Sequence, residues 1–185
     1  MPVYIALLRG INVGGHKRIK MADLRGLLES LGLDDVKTIL QSGNVVFTSD
    51  ESSHDELIRT IEAGIVAHYG FESKIILRRI GAFRDVVSDN PYADKPDLDA
   101  SKLLVTFLAS APDADAMTRL REAQKGDEQV ELVGQELYIY YPDGMGRSKL
   151  SNVFIQKHLK LVSTGRNWKT TNKLLALAEA VDSAG

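Results

Sequence analysis

Glycine and basic residues occur together in three segments of this chain, and each segment could hold an anion. The first is residues 8–18 (LRGINVGGHKR), which follows a predicted strand and precedes a predicted helix. Glycines let a ligand approach the backbone closely and expose N–H donors, so this loop could cradle phosphate oxygens. The alternative is an ordinary strand-to-helix loop with turn glycines. The candidate ligand-binding residues here are Arg9, Asn12, Gly14, Gly15 and Lys17.

The same loop departs from a P-loop in three ways. Gly10 and Gly15 have the P-loop spacing, but His16 comes before Lys17. Arg18 stands where a P-loop has the Ser or Thr that binds magnesium. The next helix is also predicted to begin several residues after the loop. These departures argue against a P-loop nucleotide hydrolase and leave a simpler anion site.

The second segment, residues 144–149 (GMGRSK), leads into a helix predicted over residues 149–161. A helix N-terminus carries a partial positive charge that attracts anions. Cations there are unfavourable for the helix itself, so Arg147 and Lys149 are easier to understand if a negative partner binds beside them. Ser148 is predicted to cap the helix, with ligand binding as the alternative.

The third segment, residues 164–171 (TGRNWKTT), contains the only tryptophan of the chain. Arg166 could bind an anion through two parallel hydrogen bonds, and the indole of Trp168 could stack on a base. Asn167 lies between them and is included as a candidate. The alternative is that Trp168 fills the core beside the last helix, which a threonine of this segment would then cap.

Other kinds of catalytic or metal site have little support in the sequence. Without cysteine, the chain has no disulfide, thiolate nucleophile or cysteine-based zinc site. Ser42 lacks the flanking glycines of a nucleophile elbow and lies in a predicted hairpin turn. No metal site and no cofactor are predicted, because the histidines show no metal-binding spacing; they are His16, His54, His68 and His158.

The predicted elements of the first half follow the order βαββαβ. Short apolar runs rich in β-branched residues indicate strands, and apolar residues at helical spacing indicate two amphipathic helices. This order is typical of the ferredoxin-like arrangement, in which two helices cover one face of an antiparallel sheet. The strands are predicted over residues 3–8, 36–41, 44–49 and 73–79, and the helices over residues 21–31 and 55–69.

The second half repeats this order without a recognisable last strand. We therefore predict an α+β protein of two ferredoxin-like units, with antiparallel sheets and helices on one face of each. The units are assigned to residues 1–82 and 83–185, the second with an extra C-terminal helix. A short helix over residues 82–88 and a polar connector over residues 90–99 join them. The remaining strands are predicted over residues 102–108, 129–133 and 136–141, and the remaining helices over 114–124, 149–161 and 171–181.

Charge is unevenly distributed along a nearly neutral chain. The 185 residues include 23 Lys and Arg against 25 Asp and Glu, a formal net charge of −2. Residues 1–21 and 144–178 contain cations but no acid, which creates local positive potential. The sequence pI of about 6.1 argues against non-specific binding to duplex DNA. No apolar run reaches the ~20 residues of a membrane helix and no signal-peptide pattern is present, so a cytoplasmic protein without membrane contact is expected.

Four blocks of the sequence resemble the blocks of one protein family. They are YIALLRGINVGGHKRIKM, TILQSGNVVF, GMGRSKLSN and TGRNWKTTNKL, with Lys169 where the family usually has Asn. The chain resembles a bacterial family of uncharacterised proteins, a domain of unknown function. The resemblance covers nearly the whole chain and implies a tandem of ferredoxin-like α/β units, but no reaction. Polar blocks that lie on loops fit a binding site better than a core.

The leading functional hypothesis is a cytoplasmic protein that binds a phosphate-bearing ligand in a basic cleft. The two stretches without acids, residues 1–21 and 144–178, would form this cleft together. The ligand would be a nucleotide or a single-stranded nucleic acid. One alternative is an enzyme that acts on a phosphorylated or carboxylated small molecule, with His16 or Lys17 as proton donor. Another is a non-catalytic interaction module whose exposed sheet pairs with itself or with another chain. The sequence predicts no oligomeric state.

Overall fold

The structure, a computed structural model, describes residues 1–95 and 97–185, and these residues form two units. One unit comprises residues 1–84 together with residues 173–185, and the other comprises residues 85–172. Part of the predicted connector, residue 96, lies outside the described residues.

The first unit contains the six elements of the predicted βαββαβ order, followed directly by a further helix. The elements are β1 (Val3–Leu8), α1 (Met21–Ser30), β2 (Asp34–Ile39), β3 (Asn44–Thr48), α2 (His54–Tyr69), β4 (Ile75–Arg79) and α3 (Ile80–Ser88), of which the last four residues belong to the second unit. The strands form one antiparallel sheet in the order β2-β3-β1-β4.

The second unit has the same strand order, β6-β7-β5-β8, and its pairs are also antiparallel. Its elements are β5 (Leu103–Leu108), α4 (Ala116–Ala123), β6 (Gln129–Val133), β7 (Glu136–Tyr140), α5 (Asn152–Leu159), β8 (Ser163–Asn167) and α6 (Trp168–Asp182), whose residues from 173 onward belong to the first unit. The predicted α+β fold of two ferredoxin-like units is therefore confirmed.

Each core lies between one sheet face and two helices. In the first unit, alternate residues of β1 pack against apolar stripes of α1 and α2, as period-2 and helical spacing require. In the second unit, β5 and β7 pack in the same way against α4 and α5. The first core includes Tyr4, Ala6 and Leu8 with Leu24, Leu28, Ile61 and Ile65, and the second includes Leu108, Leu137 and Ile139 with Leu120 and Ile155.

The strand β8 was not predicted from the sequence, because its residues, STGRN, include no large apolar side chain. Hydrogen bonds from elsewhere in the chain place this segment in the sheet. Asn152, at the start of α5, donates to the carbonyl of Ser163 at 2.9 Å and accepts from its hydroxyl at 2.6 Å. Backbone pairing then runs along β5, from Leu108 opposite Ser163 to Leu104 opposite Asn167. With β8, the second unit completes the same βαββαβ order as the first.

The grouping of residues 173–185 also differs from the predicted division, which assigned them to the second unit. These residues carry the C-terminal part of α6 and belong with the first unit. There, Arg84 of α3 forms ion pairs with Glu179 at 3.3 Å and Asp182 at 2.8 Å. Among the described residues no helix combines the length and apolar character needed to cross a bilayer.

Candidate functional site

The glycine loop after β1 folds back on itself as a small hairpin. The amide of Asn12 donates to the carbonyl of Lys17 at 3.1 Å, and that of His16 donates to the carbonyl of Val13 at 3.2 Å. Gly14 and Gly15 form the exposed tip with φ of 61° and 79°, a region that glycine adopts readily. Because α1 begins only at Met21, the loop does not run into a helix N-terminus as a P-loop does.

Asn12 has a structural role in this loop. Its Nδ2 donates to the carbonyls of Ile19 at 2.9 Å and Gln41 at 2.7 Å, and its Oδ1 accepts from the amide of Ile19 at 2.9 Å. Both side-chain N–H groups are therefore used within the protein. The side-chain amide of Asn12 thus joins two loops, and its role in ligand binding stays a prediction.

The two cations of the glycine loop differ in their surroundings. Lys17 is exposed, and its Nζ donates to the carbonyl of Glu72 at 2.6 Å and lies 5.8 Å from the centre of the Phe71 ring. Arg9 is half-buried, and its backbone amide and carbonyl bond to residues next to β4. Its guanidinium has no hydrogen bond or ion pair with a described residue.

In the third basic segment, residues 164–171, the side chain of Arg166 makes hydrogen bonds within the protein. Arg166 is only 7% exposed, and its Nη1 donates to Thr164 Oγ1 at 2.8 Å and to the carbonyl of Gly165 at 2.9 Å. Burial lowers the pKa of Arg166 to about 10. The guanidinium of Arg166 is thus buried and hydrogen-bonded within β8, and its ligand-binding role stays a prediction.

Asn167 and Trp168 mark the start of α6, earlier than predicted. Asn167 Oδ1 accepts from the amide of Thr170 at 2.8 Å and so caps this helix, a role expected for Thr170 or Thr171. Its side-chain oxygen is engaged in the cap, and its ligand-binding role stays a prediction. Trp168 is the first residue of α6 and is half-buried, neither fully in the core nor fully exposed.

The second basic segment has a different local structure from the predicted one. The helix α5 begins at Asn152, and its cap is Ser151, whose Oγ accepts from the amide of Phe154 at 3.2 Å. Arg147 and Lys149 therefore lie in the preceding loop, outside the first turn of the helix. Ser148, predicted as the cap, instead has an Oγ that accepts from the amide of Leu150 at 2.9 Å.

These loop residues line a cleft of about 690 Å³ in the second unit. One wall is the connection from α4 to β6, and the other is the loop between β7 and α5. The volume lies within the usual range for small-molecule sites, roughly 300–1,000 Å³. The lining includes Lys125, Asp127 and Glu128 from the first wall and Asp143, Arg147, Ser148 and Lys149 from the second.

The side chain of Gln124 links the residues of the first wall to one another. Its Nε2 donates to the carbonyl of Glu128 at 2.6 Å, to the carbonyl of Gly126 at 3.2 Å and to Glu128 Oε2 at 3.2 Å. A side chain at Gly126 would collide with the Glu128 carboxylate. The hydrogen bonds of Gln124 fix the loop backbone at Gly126 and Glu128, and they hold the carboxylate of Glu128 beside Gln124.

The two walls are joined by a hydrogen bond between Ser148 and Glu128. The hydroxyl of Ser148 donates to Glu128 Oε1, while the opposite carboxylate oxygen faces Gln124. Tyr141 and Leu150 also line the cleft and belong to the core of the second unit. The hydroxyl of Tyr141 donates to the carbonyl of Leu150 at 2.9 Å, and burial raises its pKa above the ordinary range. Tyr141 thus belongs to the packing behind the cleft.

Three cations line the cleft without forming an ion pair with a described residue. Lys125, Arg147 and Lys149 are exposed, and none forms a hydrogen bond or ion pair through its side chain with a described residue. Arg147 and Lys149 were predicted from the sequence, whereas Lys125 was not, because Lys125 stands in an acidic stretch (KGDE) with no motif around it. Glu128 was not predicted either, for the same reason.

The predicted residues thus fall into separate groups. Arg9, the glycine tip and Lys17 belong to the first unit, whereas Arg147, Ser148 and Lys149 share the cleft of the second unit. That residues 1–21 and residues 144–178 form one basic cleft stays a prediction.

Residues 1–138 match the family described as "Protein of unknown function (DUF1697)". The chain belongs to this family. The matched part of this DUF1697 protein contains the glycine loop and the cleft wall at residues 124–128, whereas Arg147 and Lys149 lie beyond it. Among curated proteins none matches this sequence.

Solved structures also include a protein similar to this DUF1697 chain along nearly its whole length. It is the conserved bacterial protein SP0830 from Streptococcus pneumoniae, with 26% sequence identity and a TM-score of 0.77. The similarity covers 96% of this chain and 98% of that one, so it extends over both units.

Proposed function

We propose that this protein binds a phosphate-bearing small ligand in the cleft of its second unit. The observation that carries the proposal is the set of three exposed cations, Lys125, Arg147 and Lys149, that line one cleft without ion pairs to described residues. The ends of these side chains are available to an anion, and its charge would be attracted by all three.

The chemistry of these side chains suits phosphate. A guanidinium such as that of Arg147 can offer two parallel hydrogen bonds to phosphate oxygens. Lysine ammonium groups add charge without demanding one geometry. Gly144 has a φ of 84°, and neither it nor Gly146 carries a side chain that would keep a ligand from the loop backbone.

A small ligand fits the cleft better than a long polymer does. A volume of about 690 Å³ accommodates one nucleotide-sized molecule. A single-stranded nucleic acid would need a groove that tracks several phosphates, with bases stacked in succession. We therefore propose a small phosphorylated molecule in preference to an oligonucleotide.

The proposal is tested by calorimetric titration of the full chain at low salt with ribose 5-phosphate, AMP and a short oligothymidine. We expect the two small phosphates to bind, and Arg147→Ala combined with Lys149→Ala to weaken both by about tenfold or more, since two charge-assisted contacts are lost. Lys37→Ala is the matched control, because Lys37 is an exposed lysine of β2 in the other unit.

Absence of binding by every phosphate compound at low salt would contradict the proposal. Equal weakening by the cleft variant and by the Lys37 control would also contradict it, because general surface charge would then explain the binding.

A further inference from the structure

We infer that the ligand is a nucleotide whose base carries an exocyclic amino group. This inference rests on the proposed function and adds the part of the ligand that the phosphate does not explain. It depends on the fixed carboxylate of Glu128 and the aromatic ring of Phe154, both of which line the same cleft as the three cations.

The charges of the cleft require a ligand with more than an anionic group. Lys125, Arg147 and Lys149 are matched in number by three acids, Asp127, Glu128 and Asp143. A ligand that were only a phosphate would gain from the cations and be repelled by the carboxylates. A ligand with a phosphate at one end and hydrogen-bond donors at the other satisfies both sets.

Glu128 is the carboxylate best placed to recognise a donor. It is half-buried, and hydrogen bonds from the Gln124 amide and the Ser148 hydroxyl hold it in place. An ionised carboxylate has about four lone-pair sites and accepts only. The two internal hydrogen bonds therefore leave capacity for an N–H donor, such as an amino group on a base.

Phe154 supplies a surface for a planar ring. It lines the cleft and is half-buried, since part of the ring packs against the core of the second unit and against His158, with ring centres 4.3 Å apart. A ring fixed from behind in this way loses little freedom when a base stacks on it. Such stacking is sequence-tolerant because every base has a π-face. Phe154 therefore stacks on the base of the ligand, and Glu128 accepts a hydrogen bond from the amino group of that base.

The test compares nucleotides that differ by one amino group, using the full chain and calorimetric titration. One pair is AMP and purine riboside 5′-monophosphate, and the other is GMP and IMP. Because a hydrogen bond to a charged group is lost with the amino group, we expect the amino-bearing member of at least one pair to bind about tenfold more tightly. Ribose 5-phosphate, which lacks a base, should bind about tenfold or more weakly than AMP.

Two variants separate the roles of the carboxylate and the ring. Glu128→Gln keeps an oxygen that can accept from Ser148 but removes the charge. The ratio of affinities within the responsive pair should therefore fall to about twofold or less, whereas ribose 5-phosphate should bind at least as tightly as before, because one repelling carboxylate is gone. Phe154→Leu keeps apolar volume but removes the ring, so both members of a pair should weaken by about fivefold or more, without an effect on ribose 5-phosphate. Glu122→Gln is the matched control for charge, because Glu122 is an exposed acid of α4 outside the cleft lining.

The outcomes distinguish this inference from the proposed function. A ratio below about fivefold in both pairs overturns the inference, as does a Glu128→Gln variant that weakens ribose 5-phosphate as much as AMP. If ribose 5-phosphate then still binds and is weakened by Arg147→Ala, the proposed function stands without the inference. If no phosphate compound binds, both fall.

Discussion

Gly43 determines how closely two loops of the first unit approach each other. It has a φ of 73°, and a Cβ added there would lie 2.6 Å from Leu8 Cβ and 2.8 Å from Ile11 Cδ1. The side chain of Asn12 then joins the same two loops through its contact with the carbonyl of Gln41. Two of the sequence blocks that suggested a binding site, LRGINVGG and QSGN, are therefore partly explained by packing.

Gly43→Ala should destabilise the protein far more than Gly70→Ala. Both glycines have nearly the same positive φ, 73° and 75°, but a Cβ at Gly70 would meet no described atom within 4 Å. We expect the free energy of unfolding to fall by ~1 kcal/mol for Gly70→Ala, from the left-handed backbone alone. For Gly43→Ala we expect a fall of ~3 kcal/mol or more, because overpacking is added. Urea unfolding measures both, and equal losses would show that the close approach is relaxed without cost.

At the scale of the elements, helix ends decide which polar residues remain for a ligand. Ser53, Ser151 and Asn167 each accept a backbone N–H at the start of a helix, so their side chains are used locally. The position of the cap on α5 matters most, because it leaves Arg147, Ser148 and Lys149 in the loop that lines the cleft. Arg147 and Lys149 therefore lie outside the first turn of α5, where a positive charge would have been unfavourable.

Ser151→Ala should loosen the start of α5, whereas Ser148→Ala should not. Loss of an N-cap side chain costs ~1 kcal/mol and exposes the amide that it held, here that of Phe154. Ser148 holds the amide of Leu150 and the carboxylate of Glu128, both outside α5. Hydrogen exchange at the Phe154 amide should therefore speed up in the first variant only. Faster exchange there in Ser148→Ala would instead place the functional cap at Ser148.

At the scale of the whole molecule, residues 173–185 belong to the first unit, although residues 85–172 separate them from it along the chain. Residues 173–185 group with residues 1–84, and α6 buries Leu174, Ala178 and Val181 along one stripe. Their spacing of four and three residues is that of one helix face. The ion pairs of Arg84 with Glu179 and Asp182 are largely exposed and add little to this apolar burial.

Deletion of residues 173–185 should destabilise the first unit in particular. Burying a Leu or Val side chain contributes about 1.5–3 kcal/mol, so the loss should exceed ~3 kcal/mol. Hydrogen exchange should rise in residues 1–84 more than in residues 85–172. Deletion of residues 183–185, which are exposed, is the control and should leave exchange nearly unchanged. A rise confined to residues 85–172 would contradict the grouping of the C-terminal helix.

The sequence by itself determined the fold class, because apolar periodicity is a local signal. The alternation and helical spacing in residues 3–79 are sufficient to indicate the ferredoxin-like order of the first unit, and the exact bounds of β6 were predicted as Gln129–Val133. The glycine-rich and basic segments were also visible as loops. What those loops do with their polar groups was not visible, since the same Asn or Arg side chain can face solvent or the protein.

Tertiary structure alone decided the strand β8 and the composition of the cleft. Ser163 can be buried because Asn152 supplies its hydrogen-bond partner, and Arg166 because Thr164 does so. Pairing with β5 then holds both residues in the sheet. Likewise, Lys125 and Glu128 join Arg147 and Lys149 only because the chain returns to bring two distant loops together. A polar residue carries no periodic signal of its own, so its role depends on partners that folding supplies.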